Sequence, residues 1–143
     1  MRLLLHPSSK TVCHSGTQPS IQPIHAFAHQ SLSGTMGYIP PEAICRDSGV
    51  HVSTAEFKKG DVYSFGVLIC YMLSGINPFA KMTEANIMYM VAVKNERPAI
   101  PPHVDKDSQN PVFKEMIQQL WHSEPGRRSD FATIVAIICN IQV

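Results

Sequence analysis

No acidic residue precedes Glu42, so the first 41 residues hold no carboxylate to bind magnesium or accept a proton. Basic blocks are equally scarce: none exceeds the pairs Lys58-Lys59 and Arg127-Arg128, and the net charge is +1. Nothing here advertises a nucleic-acid footprint or an anionic membrane surface. The four cysteines, Cys13, Cys45, Cys70 and Cys139, are scattered and form no C-x-x-C, which argues against a metal knuckle or a disulfide framework and favours reduced thiols. The apolar opening Met1–Leu5 stops at His6-Pro7, short of the roughly 7–15 residues of a signal-peptide core. The expected address is cytoplasmic. A 44% hydrophobic share is enough for a packed core.

The most apolar stretch is Asp61–Gly75. Val62, Phe65, Val67, Leu68, Ile69, Met72 and Leu73 leave almost no polar stripe, which predicts a helix buried on all sides. Val62 to Leu73 covers about 18 Å, too short for a hydrocarbon layer of roughly 30 Å. Asp61 suits the N-cap, Gly75 the left-handed residue past the end, and Pro78 forbids continuation.

Around that helix the chain divides in two. Residues 1–33, with Pro7, Pro19, Pro23 and many Ser, His and Gln, show no sustained period and read as an irregular arm. His25 and His29 would share a helix face and could reach a metal with Cys13 or His14, but no Glu follows His25, and the expectation is no metal site. Residues 34–143 read as one mainly α domain. Cys45–Gly60 is polar and reads as a connection. Thr83 can cap a helix running to about Ala92, and Arg97–Pro102 must be extended. Pro111 can open a helix with Phe113, Met116, Ile117, Leu120 and Trp121 on one face. Ser129 or Asp130 can cap a last helix whose inner face is Ile134, Ile137, Ile138 and Ile141.

Three motifs carry more than periodicity. They are Gly34-Thr35-x-x-Tyr38-x-x-Pro41-Glu42, Asp61-Val-Tyr-Ser-Phe-Gly66, and Trp121-x-x-Glu124-Pro125-x-x-Arg128-x-x-Phe131. In that order they resemble the C-terminal half of the large lobe of a eukaryotic protein kinase: the end of the activation segment, then helices F to I. The Tyr at position 63 and the Gly-Thr-x-Gly-Tyr form point to the tyrosine-kinase-like group of Ser/Thr kinases. Asn77-Pro-Phe79 and Arg97-Pro98-x-Ile100-Pro101 look closest to its receptor-interacting branch. Pro40 and Ser129 depart from the family's Ala and Pro.

The resemblance implies a buried ion pair between Glu42 and Arg128, a substrate-pocket floor at Gly34 and Thr35, and a packing anchor at Trp121. It implies a further bond from Asp61 to the catalytic loop, and it makes Ser31, Ser33 and Thr35 candidate phosphorylation sites. Phosphoryl transfer in this family also needs ATP, magnesium, a glycine-rich cradle, a lysine, a proton-accepting Asp and metal-holding Asp and Asn. The sequence has no G-x-G-x-x-G, H-R-D or D-F-G. The expectation is therefore a kinase-lobe fragment, catalytically silent alone and holding no cofactor. It would be a truncated product or a protein-binding remnant, with protein partners and neither nucleic acid nor membrane. The alternative is a part of a longer, active Ser/Thr kinase in signalling. For the fragment, which lacks the helix that precedes the catalytic loop in the family, the core helix is expected to leave one apolar flank uncovered.

Overall fold

Residues 34–46, 51–102 and 111–140 are described by the structure, a computed structural model. In chain order a 3-10 turn, Met36–Tyr38, leads to the short helix α1, Pro41–Ile44, and then to the long helix α2, Thr54–Ser74. Helix α3, Glu84–Met88, runs on into a π turn, Tyr89–Val93. Helix α4, Pro111–Leu120, a 3-10 turn at Pro125–Arg127 and helix α5, Phe131–Asn140, complete the series. Every regular element among the described residues is helical, as expected for a partial large lobe.

Helix α2 begins earlier than Asp61. Ser53 is its N-cap, accepting from the Glu56 amide at 3.2 Å, while the Ser53 amide donates back to the Glu56 carboxylate at 2.8 Å. This reciprocal capping box satisfies two amides that would otherwise lack partners. Asp61 therefore sits in the second turn, exposed, and caps nothing at the helix start. The polar run before it, read as a connection, is helical from Thr54. At the other end Gly75 takes φ 65° and its amide returns to the Tyr71 carbonyl, a left-handed ending that glycine adopts at little cost.

One side of α2 supplies the core. Val62, Tyr63, Val67 and Cys70 are buried there with Ile44 of α1, Val91 of the π turn, Ile117 and Leu120 of α4, and Ile134 of α5. Each such aliphatic side chain removed from water stabilises by about 1.5–3 kcal/mol. The helix is not enclosed all round: Leu68 is 39% and Met72 62% exposed. On α5 Ile134 is buried and Ile137 half-buried, whereas Ile138, expected on the inner face, is exposed together with Val135. Phe65 of α2 and Phe131 of α5 touch with ring centroids 5.7 Å apart. No helix among the described residues is long and apolar enough to cross a membrane.

Cys70 and Cys139 are free thiols, the first buried and the second exposed. Cys45 is disulfide-bonded, which corrects the expectation that all four cysteines are reduced.

Candidate functional site

Pro40-Pro41 forces an extended entry into α1, because proline at N1 starts a helix while excluding it for the residue before. That geometry delivers Glu42, in the first turn, against the far end of the domain. There Arg128 follows the 3-10 turn Pro125–Arg127 and is almost wholly buried. Its Nη1 and Nη2 each donate to one Glu42 carboxylate oxygen at 2.7 Å. This two-pronged pair matches the planar fork of guanidinium to the planar carboxylate. Two further donors are used as well. Nε reaches the His122 carbonyl and Nη1 the Lys59 carbonyl, both at 2.8 Å. A buried guanidinium is tolerable only when its donors are satisfied in this way.

Lys59 closes the arrangement from α2. Its ammonium donates to the carbonyls of Arg128 and Ser129, the second at 3.4 Å. Tyr63, one turn further along α2, lies beneath: its ring centroid is 5.1 Å from the Arg128 Cζ and 5.2 Å from that of Arg97. Burial holds the Tyr63 phenol above its ordinary range, and its hydroxyl has no hydrogen-bond partner among the described residues. Arg97 donates from Nε to the Trp121 carbonyl at 2.9 Å, and burial pulls its guanidinium below the usual value. Trp121 itself is buried in the core, with its amide closing on the Ile117 carbonyl at the end of α4.

Next to this cluster, Gly34 and Thr35 are both exposed. Gly34 adopts φ 130°, a backbone that side chains disfavour. The Thr35 carbonyl accepts from the Tyr38 amide at 2.9 Å, forming the 3-10 turn. Ser64 Oγ on α2 donates to the Tyr38 carbonyl at 2.8 Å and ties that turn to the core helix. From behind, Phe79 presses on Gly37, where an added Cβ would stand 3.4 Å from its ring. Phe79 holds φ 57°, an uncommon conformation for an aromatic residue.

The structure thus brings Glu42, Arg128 and Trp121 into one region and sets Gly34 and Thr35 at the exposed end of the segment that Glu42 anchors. Asp61 is exposed within α2. Ser31, Ser33, His14, His25, His29 and Cys13 lie outside the described residues. Tyr63, Lys59, Ser64 and Arg97 were not singled out as site residues from the sequence. Lys59 sits in a stretch that reads as polar, and Arg97 belongs to a motif that carried the resemblance without a role of its own; their contacts supply the roles. Among the described residues no group of three or more His, Cys, Asp or Glu could hold a metal. The arrangement is a bracket in which both Glu42 oxygens accept from Arg128.

Comparison with known proteins places this geometry in context. The protein kinase domain family matches residues 13–137. The chain is 37% identical over 81 residues to serine/threonine/tyrosine-protein kinase HT1 of Arabidopsis thaliana, covering 57% of this chain and 20% of that protein. It is 33% identical over 115 residues to receptor-interacting serine/threonine-protein kinase 4 of Mus musculus, covering 78% and 14%. It is 31% identical over 112 residues to mitogen-activated protein kinase kinase kinase 11 of Homo sapiens, covering 78% and 12%. The chain therefore spans a fifth or less of the length of these relatives.

Proposed function

This chain belongs to the protein kinase domain family, with relatives of the tyrosine-kinase-like Ser/Thr type, and from that premise we propose that it supplies the anchoring and substrate-facing part of such a domain and transfers no phosphate by itself. The observation that carries the reading is the state of Glu42. Both its oxygens accept from the Arg128 guanidinium, which supports the anchoring role of the Gly34–Glu42 segment. The lack of phosphate transfer rests on the missing G-x-G-x-x-G, H-R-D and D-F-G motifs. ATP and magnesium belong to the whole domain, whose phosphate cradle and metal-holding residues have no counterpart in these 143 residues.

Protein partners follow from the uncovered apolar residues. Leu68 and Met72 of α2, with Val135 and Ile138 of α5, are exposed in a number that suits protein contact. A cytoplasmic setting fits the reading. The second reading is a longer, active Ser/Thr kinase of which this is one segment, favoured by the small share of each relative that the chain covers.

Calorimetric titration of the purified chain with magnesium-ATP tests the proposal. The expected result is no metal-dependent binding and no radiolabel transferred to a protein acceptor. Tight, magnesium-dependent binding or transfer overturns it. A transcript carrying H-R-D and D-F-G codons in frame upstream establishes the second reading.

A further inference from the structure

We propose that Arg97 is a positioning residue for the Glu42 segment, coupled to it through Tyr63 and Arg128 as one unit. Arg97 follows the π turn and touches neither Glu42 nor α1 by a hydrogen bond. Its guanidinium instead gathers four groups around itself. Nε donates to Trp121 O at 2.9 Å, Nη1 to Glu96 O at 2.7 Å and more weakly to Val91 O at 3.4 Å, and Nη2 to Asn95 Oδ1 at 2.8 Å. These bonds fix the plane of the group on the Tyr63 ring.

The same ring carries Arg128, whose opposite commitment is to Glu42. Two cations on one wholly buried ring repel each other, and the Glu42 carboxylate offsets both, with Glu96 adding to the counter-charge at Arg97. A shift of either guanidinium therefore changes the field and the packing felt by the other. The Asn95–Arg97 turn is exposed at Asn95 and Glu96, so a surface event there has a physical route to the segment carrying Gly34 and Thr35. Side chains that share a partner in this way lose additivity. The inference concerns coupling between two parts of the fold and holds whether or not the chain meets nucleotide.

Amide exchange on the full chain reads the coupling. The reporting amides are Ala43, Ile44 and Cys45, bonded to the carbonyls of Pro40 and Pro41, and the control is the Gly75 amide at the far end of α2. Arg97→Met is expected to speed exchange at positions 43–45 by at least about tenfold and to leave Gly75 unchanged. Asn95→Gly is a gentler variant. It tolerates the left-handed backbone that Asn95 holds at φ 55° and removes the Oδ1 acceptor with the rest of the side chain. It should act in the same direction, by roughly threefold, and it carries the test if Arg97→Met does not fold. In the Glu42→Gln background the effect of Arg97→Met should shrink, because the shared counter-charge is already gone. Exchange accelerated only at 94–97 and 121–122, or strictly additive effects of Glu42→Gln and Arg97→Met, overturns the proposal.

Discussion

Gly66 on α2 faces Leu120 on α4 so closely that a Cβ at position 66 would stand 2.8 Å from the Leu120 Cβ. Leu120 is fully buried, and the Trp121 amide lies 3.4 Å from the same point, so neither side can yield freely. Gly66→Ala is expected to destabilise the fold by about 1–3 kcal/mol through overpacking. Gly126→Ala, with nothing within 4 Å, is the matched control. Urea unfolding of the two variants checks the difference.

Breaking the ion pair should be asymmetric. Glu42→Gln leaves a buried guanidinium without its counter-charge but with its carbonyl partners, and a cost of about 3 kcal/mol is expected, since Glu42 is 22% exposed. Arg128→Met leaves the Glu42 carboxylate without its counter-charge and the His122 carbonyl without its Nε donor, and should cost nearer to about 5 kcal/mol. Thermal denaturation of both variants measures the order.

Tyr63→Phe should do the opposite of most core substitutions. The hydroxyl is buried with no partner among the described residues, so its removal lifts a desolvation penalty and is expected to stabilise by roughly 1 kcal/mol. A pH signature accompanies it. The folded-state phenol is raised, so its contribution is whole below the ordinary tyrosine range and is lost as pH climbs through and above it. Part of the alkaline unfolding of the parent chain should be missing in Tyr63→Phe.

Acid acts on the helix ends. The Ser53 amide holds Glu56 below the usual carboxylate range, and the Thr133 amide does the same for Asp130, which accepts from it at 2.7 Å. For depressed carboxylates the contribution is present above the ordinary value and lost as pH falls through the folded-state one. Helicity followed by circular dichroism should decline below about pH 4. Asp130→Asn keeps an acceptor at the cap and should flatten its share of that decline.

Much of this architecture was legible because it is local. Gly75, Thr83 and Asp130 mark helix ends by backbone chemistry that neighbouring residues determine, and the structure puts ends or starts there. The start of α2 was misread for an equally local reason. Ser53-x-x-Glu56 is a capping signature, but Asp61 stands nearer the apolar run and competes for the same role. The site was legible only as far as its motifs reach. Glu42 and Arg128 are recognisable by resemblance, whereas Lys59, Tyr63 and Arg97 owe their roles to contacts across 24 to 70 positions. Neither periodicity nor capping rules register such distances. Exposure of Leu68, Met72 and Ile138 was likewise invisible to pattern, which reports that a residue is apolar and not whether a neighbour covers it.

Glu42 and Arg128 are 86 positions apart. At a synthesis rate of about 5–20 residues per second the first waits roughly 4–17 s for the second to be made. Until then the Glu42 carboxylate lacks its partner, and only the synthesis of Arg128 can clasp it. Any premature stop ahead of Arg128 would leave the Gly34–Glu42 segment unlatched in an otherwise helical product, a natural target for quality-control proteases.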